Sequence, residues 1–233
     1  FSPDGPLTGI AIEYMPYGGR PLSEQFEVWR LSSTKELCRP RHVALQRAAL
    51  FGDIDYNDAS ADSRQQADST ALAMRSQGGG EQGTFGMLEA TRAEVNDIAA
   101  QLRSAGLQQV KPIMADAATE AVFRALSGTR VNLIHIASHG AWRGTSSTKA
   151  HEAMTKSLLA FAGANFGGEA DNDGIVTAAD VADMDLRQCD LVVLSACETG
   201  LGHLDADGVY GLQRGFKNAG VHTLLMSLKE VYD

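Results

Sequence analysis

The sequence predicts an α/β fold with a mostly parallel central sheet and helices on both of its faces. Three observations predict it. The runs at 131–138 and 190–196 are apolar at nearly every position, as strands buried on both faces are. Strand patterns alternate along the chain with helix patterns, the order expected when helices cover a parallel sheet. The 233 residues are 44% hydrophobic, enough for one large domain with a small appendage. No stretch reaches the roughly 20 apolar residues of a membrane span.

Residues 1–41 read as a β-hairpin lead-in, with apolar stretches at 9–14 and 26–31 flanking a Gly/Pro-rich turn at 16–21. The main domain is expected over 42–233, and its first strand is read at 42–51. Residues 57–84 are polar and contain Gly78-Gly79-Gly80. They cannot bury enough apolar surface to offset their ordering entropy, so they read as a flexible surface loop and a candidate nicking site. Leu88, Val95, Ile98, Ala99 and Leu102 recur at helical spacing, and Gly106 supplies the stop. A strand at 110–114 and a helix at 119–126 ending at Gly128 precede the apolar strand at 131–138. A polar loop is read at 141–155 and a short strand at 158–162. Asp173-Gly174 then turns the chain into a short helix capped by Thr177, with Asp180 at the third helical position. The second apolar strand, 190–196, is followed by a helix at 208–219 and a last strand at 221–228.

The net charge of −9 repels phosphate backbones, which argues against nucleic acid as a direct partner. Three cysteines, Cys38, Cys189 and Cys197, form no disulfide framework and suggest a reducing cytoplasm. The first residues carry neither a basic region nor an apolar core of the kind a secretory leader has. A nucleotide-binding reading fails because no G-x-G-x-x-G or Walker-A stretch follows the first strand, and Gly78-Gly79-Gly80 does not lie between strand and helix. No cofactor is expected.

In sheets of this kind, sites form outside the carboxyl ends of the strands. His139 and Cys197 both end an apolar strand. A cysteine hydrolase needs a thiolate, a nearby base and oxyanion donors. Gly140 lets a substrate carbonyl approach the backbone closely, so the N–H groups of Gly140 and Cys197 are the natural oxyanion donors. By pattern alone Cys197 is as readily a small buried residue as a nucleophile. His135 lies about 13 Å from His139 if both sit on one strand, too far to share a metal, and reads as a packed core residue. Cys38 and Cys189 have no glycine elbow and read as structural. Glu169, Asp171, Asp173-Gly174 and Asp180 loosely mimic a calcium loop, but the first ligand position is Glu and the last acid is short. An acidic turn before a Thr-capped helix accounts for them, and no metal site is assigned.

His135-Ile136-Ala137-Ser138-His139-Gly140 and Leu194-Ser195-Ala196-Cys197-Glu198-Thr199-Gly200 resemble the two signatures of the CHAT family. These are caspase-like domains, often joined to tetratricopeptide repeats, in the clan of caspases and separase. Asp207-Gly208-Val209-Tyr210-Gly211-Leu212-Gln213-Arg214-Gly215-Phe216 resembles the family's helix after the cysteine. Ala219-Gly220-Val221 and Leu225-Met226-Ser227-Leu228 resemble its next strand, and Leu50-Phe51-Gly52-Asp53-Ile54-Asp55-Tyr56 its first strand and turn. The resemblance implies a caspase-like α/β/α sandwich and peptide-bond cleavage, with His139 as base and Cys197 as nucleophile. It also implies a protein or peptide substrate and regulation by a partner or an upstream repeat domain, with prokaryotic defence among the family's roles. The alternative is a catalytically silent caspase-like scaffold, against which the retention of His139 and Cys197 argues.

Related sequences commonly carry Trp where Lys229 stands and an acid where Asp233 stands. In separases that acid helps hold an arginine at P1. Asp233 is therefore a candidate P1-binding carboxylate, with Asp205 and Asp207 as other nearby acids that read also as a solvated loop or, for Asp207, a helix cap, and a basic P1 residue is expected. Substrates in this clan pair along a sheet edge, which Ser227, Leu228 and Lys229 are expected to supply. The chain stops before the family's usual final helical segment, so the end of the domain is expected to be missing.

Overall fold

The computed structural model describes residues 1–3, 7, 10–31, 34–38, 45–57, 85–143, 150–166, 172–196, 203–205 and 208–227. A small hairpin opens the chain, inside the segment read as a turn: β1 (Pro16–Tyr17) pairs antiparallel with β2 (Arg20–Pro21). Gly18 and Gly19 adopt the positive φ that such a tight turn requires. Pro16 and Pro21 face each other at a non-bonded position, where no N–H is needed, and beyond them the Leu22 N–H donates to the Met15 carbonyl at 3.0 Å. The strands expected at 9–14 and 26–31 do not form among the described residues. Ile12–Tyr14 is a single 3-10 turn. Residues 26–31 are tied instead by Arg30, whose Nε donates to Glu13 at 2.8 Å, and by the Leu31 N–H, which donates to the Phe1 carbonyl. Apolar alternation failed as a guide here because these side chains are largely exposed, so no buried face fixes a ladder.

β3 (Arg47–Ile54), β4 (Gln109–Ala115), β5 (Leu133–Ala137), β9 (Leu191–Ser195) and β12 (Thr223–Met226) form the central sheet in the order β12-β9-β5-β3-β4. Every pairing in it is parallel, as expected for a caspase-like sandwich. Strand residues alternate between two faces. Ala48 and Leu50 pack with Val95 and Ala99 of α1 (Ala90–Ser104), whereas Ala49 and Phe51 face a larger core with Phe123, Phe161 and Phe216. Phe51 meets Phe123 and Phe161 edge to face, the geometry ring quadrupoles favour. Gly52 is required on the α1 face, because a Cβ there would stand 2.6 Å from a Val95 methyl.

The second core also holds α2 (Glu120–Arg124), α4 (Ala178–Ala182) and α5 (Leu212–Asn218). Gly215 of α5 lies against the backbone of α4, where a Cβ would come 2.5 Å from the Ala178 carbonyl oxygen. The expected loop at 141–155 is overlapped by β6 (Gly140–Trp142) and α3 (Ala150–Lys156), with 144–149 outside the described residues. β6 pairs with β7 (Ser157–Ala160), and β7 with β8 (Ile175–Thr177), in a small antiparallel sheet. The helix expected at 208–219 starts only at Leu212. Before it, β10 (His203–Asp205) and β11 (Gly208–Tyr210) form a hairpin. Gly211, at φ 147 and ψ −147, breaks strand from helix in a conformation other residues rarely adopt.

His135 is a core residue, as its place on an apolar strand predicts. It is 3% exposed on the α1 side, with the Glu94 carboxylate 3.1 Å from Nε2. Burial lowers its pKa below the ordinary value of 6.5, against the pull of Glu94. Between the folded and unfolded values the unfolded chain binds more protons. Stability is therefore present above about pH 6.5 and lost as pH falls through the folded value. His135→Leu is expected to flatten the fall in urea midpoint between about pH 7 and about pH 5, and an unchanged slope would remove His135 as its source.

Candidate active site

β3 and β5 are the neighbours at which the winding of the sheet reverses. β4 lies beyond β3, whereas β9 and β12 lie beyond β5. Open parallel sheets bind ligands outside the carboxyl ends of the strands at such a switch point. Here β3 delivers Asp55, Tyr56 and Asn57, and β5 delivers Ser138 and His139.

His139 is held through its backbone, its Nε2 and its ring. Its backbone N–H donates to the Tyr56 hydroxyl at 3.3 Å, and its carbonyl accepts from the Ala160 N–H at 3.0 Å. The Ser138 hydroxyl donates to the Ala160 carbonyl and lies 3.3 Å from the Tyr56 hydroxyl. The imidazole completes a triangle of rings, with its centroid 5.1 Å from Tyr56 and 5.4 Å from Phe85, which lie 5.9 Å from each other. Burial raises the Tyr56 pKa, so its hydroxyl stays protonated and serves as a neutral anchor. The Gly86 carbonyl stands 2.8 Å from Nε2. A carbonyl only accepts, so Nε2 carries the proton and Nδ1 keeps the lone pair. An imidazole in this tautomer can take a proton at Nδ1.

Gly140 opens β6, the outer strand of its sheet. In the antiparallel pairing of β6 with β7, the bonded positions are those of His139–Ala160 and Arg143–Lys156. Gly140 pairs with Leu159 at the alternate, non-bonded position. Its N–H therefore points away from β7 and off the sheet edge.

Cys197, Asp207, Leu228, Lys229 and Asp233 lie outside the described residues, as do Glu169, Asp171 and 58–84 of the expected loop. The chain reaches Cys197 from β9, whose Ser195 is in register with Ala137 of β5. His139 and Cys197 thus each follow a matched strand pair by two residues. Asp205 ends β10, with its backbone paired to Gly208. Ser227 directly follows β12, which lies at the edge of the central sheet.

Cys189 is buried, with its Sγ 3.4 Å from the Leu191 carbonyl oxygen, and burial pushes its thiol up to about 12. Such a thiol is not a nucleophile near neutral pH. Cys38 is exposed. In the acidic turn, Asp173 accepts from the Ile175 N–H at 2.8 Å. Asp180 completes the capping box with Thr177 and pairs with Arg124 at 3.0 Å. Among the described residues, no group of three or more His, Cys, Asp or Glu side chains could hold a metal ion. No helix of the described residues is long and apolar enough to cross a membrane.

Sequence reasoning missed Phe85 and Gly86, and it gave Tyr56 no role at the site. A Phe-Gly pair resuming after a long polar stretch was the available signal for the first two. Nothing local marks a backbone carbonyl as a histidine partner.

No curated protein matches the chain. The CHAT domain model matches residues 1–233, the whole chain, in agreement with the parallel central sheet. The chain belongs to the CHAT-domain family, caspase-like domains of the cysteine-peptidase type.

Proposed function

We propose that this chain is a cysteine endopeptidase working through His139 and Cys197. The observation that carries the reading is the His139 imidazole, fixed at the switch point with its Nε2 proton on the Gly86 carbonyl. Nδ1 takes the Cys197 thiol proton, and the thiolate attacks the scissile carbonyl carbon. The oxyanion is stabilised by the N–H groups of Gly140 and Cys197, and the outward direction of the Gly140 N–H supports that role. The imidazolium returns its proton to the leaving amine as the C–N bond breaks, giving a thioester. Water attacks the thioester, Nδ1 accepts a proton from it, and the thiol is regenerated with a free carboxylate.

The S1 acids are Asp233, Asp205 and Asp207, and a basic P1 residue follows from them. The substrate strand adds along the edge at Ser227, Leu228 and Lys229. The enzyme acts on protein substrates in the cytoplasm, under a partner protein or an upstream tetratricopeptide domain, in a role such as prokaryotic defence. The cytoplasm suits free Cys38 and Cys189.

A fluorogenic peptide panel varied at P1, assayed with wild type and Cys197→Ala in parallel, tests this. Cleavage after Arg or Lys by the wild type alone is the expected result. Cleavage only after apolar or acidic residues would overturn the S1 assignment. Equal activity of Cys197→Ala would overturn the nucleophile. No cleavage by either protein, with candidate partners added, would favour the silent scaffold.

A further inference from the structure

We infer that Asn165 is a positioning residue for His139, acting through Phe85 and Gly86; this rests on the peptidase reading for its effect on turnover. The side chain of Asn165, 9% exposed, uses its amide in three directions. Oδ1 accepts from the Phe85 N–H at 2.7 Å, and Nδ2 donates to the Phe85 carbonyl at 2.9 Å. Nδ2 also donates to Oδ1 of Asn57 at 2.9 Å. The Phe85 N–H can only donate, which fixes the amide orientation and leaves both Nδ2 protons for the two acceptors.

The amide thus grips both polar groups of one backbone residue, as a neighbouring strand would. That residue supplies the ring against the His139 imidazole, and the next supplies the carbonyl on Nε2. Asn165 is itself anchored, because its own N–H donates to the Tyr56 carbonyl at 3.0 Å and Gly163 donates to Asp55 at 3.1 Å. The turn after β7 therefore straps the end of β3 to the 85–86 segment. Among the described residues, Asn165 is the group that hydrogen-bonds the Phe85 backbone to this strap. Neither Asn165 nor Asn57 touches the imidazole in the contacts above, so the influence is exerted through the position of the Gly86 carbonyl.

The imidazole tautomer reports this directly. Nitrogen-15 spectra of the whole chain, with His139 assigned by its loss in His139→Gln, are expected to show the Nε2–H tautomer in wild type. Asn165→Leu removes all three bonds and is expected to give a mixture of tautomers. It is also expected to lower kcat by about 10- to 100-fold with KM unchanged, since the substrate surface is intact. Asn165→Asp keeps the shape and the bond from the Phe85 N–H but loses both donors. It serves where the leucine variant does not fold, and is expected to shift the tautomer likewise. Asn57→Ala removes only the lateral bond and is expected to leave the tautomer as in wild type. A folded Asn165→Asp that keeps a pure Nε2–H tautomer would overturn the inference. If the wild type cleaves nothing, the spectra still decide the role of Asn165, and the failure belongs to the peptidase reading alone.

Discussion

His139→Gln is expected to lower kcat/KM on the preferred peptide by about 10⁴-fold, the upper range for removal of a general base. The glutamine amide can still donate to the Gly86 carbonyl, so the local fold survives and the loss is chemical. It has no basic lone pair at the place of Nδ1, so the Cys197 proton has no acceptor at neutral pH. Cys197→Ala should be as inactive, and the double variant no worse than either single one, because base and nucleophile act in one step. Iodoacetamide offers a check without substrate. Modification of Cys197 should slow sharply in His139→Gln, whereas Cys189 should resist it in both proteins because burial keeps its thiol protonated. Full activity in a folded His139→Gln would remove His139 from the chemistry.

Gly174→Ala is expected to cost about 3–4 kcal/mol, from a strained φ and a steric clash together. Gly174 has φ +75, and a Cβ there would meet Ala164 N at 2.6 Å and the Ala162 carbonyl oxygen at 2.8 Å. Both are backbone atoms of a turn that cannot swing aside as a flexible side chain would. The carbonyl of Gly174 also accepts from the Phe161 N–H at 2.7 Å. Gly128 is the matched control. Its φ of +71 is nearly the same, but among the described residues nothing lies within 4 Å of its added Cβ. Gly128→Ala should cost only about 1 kcal/mol. For a chain of this length the two variants should differ in Tm by roughly 5–10 °C. Equal shifts would show that the turn yields to the methyl. Because this turn carries Asn165, the Gly174 variant should also lose activity at temperatures where it remains folded.

The parallel sheet and the place of His139 just past a strand end were legible in the order of residues. The apolar runs that became β5 and β9 could be buried only on both faces, which forces a parallel sheet covered by helices. The strand-end position of His139 follows from where its run stops, and the Thr177 cap from local hydrogen-bonding groups. The N-terminal hairpin forms as expected, but wholly within 16–21, because the exposed apolar residues at 9–14 and 26–31 imitate strand alternation without a face to bury. β11 was absorbed into the helix pattern because its short run continues into that of α5, and only Gly211 separates them. The tautomer of His139 was decided by tertiary structure alone. It depends on the Gly86 carbonyl, 53 positions away, and on the Asn165 amide, 80 positions from Phe85. A backbone carbonyl is present at every residue and an asparagine in a turn has many local uses, so neither carries a pattern in sequence. Folding alone gives them meaning, by bringing the turn after β7 and the ends of β3 and β5 to one point above the sheet.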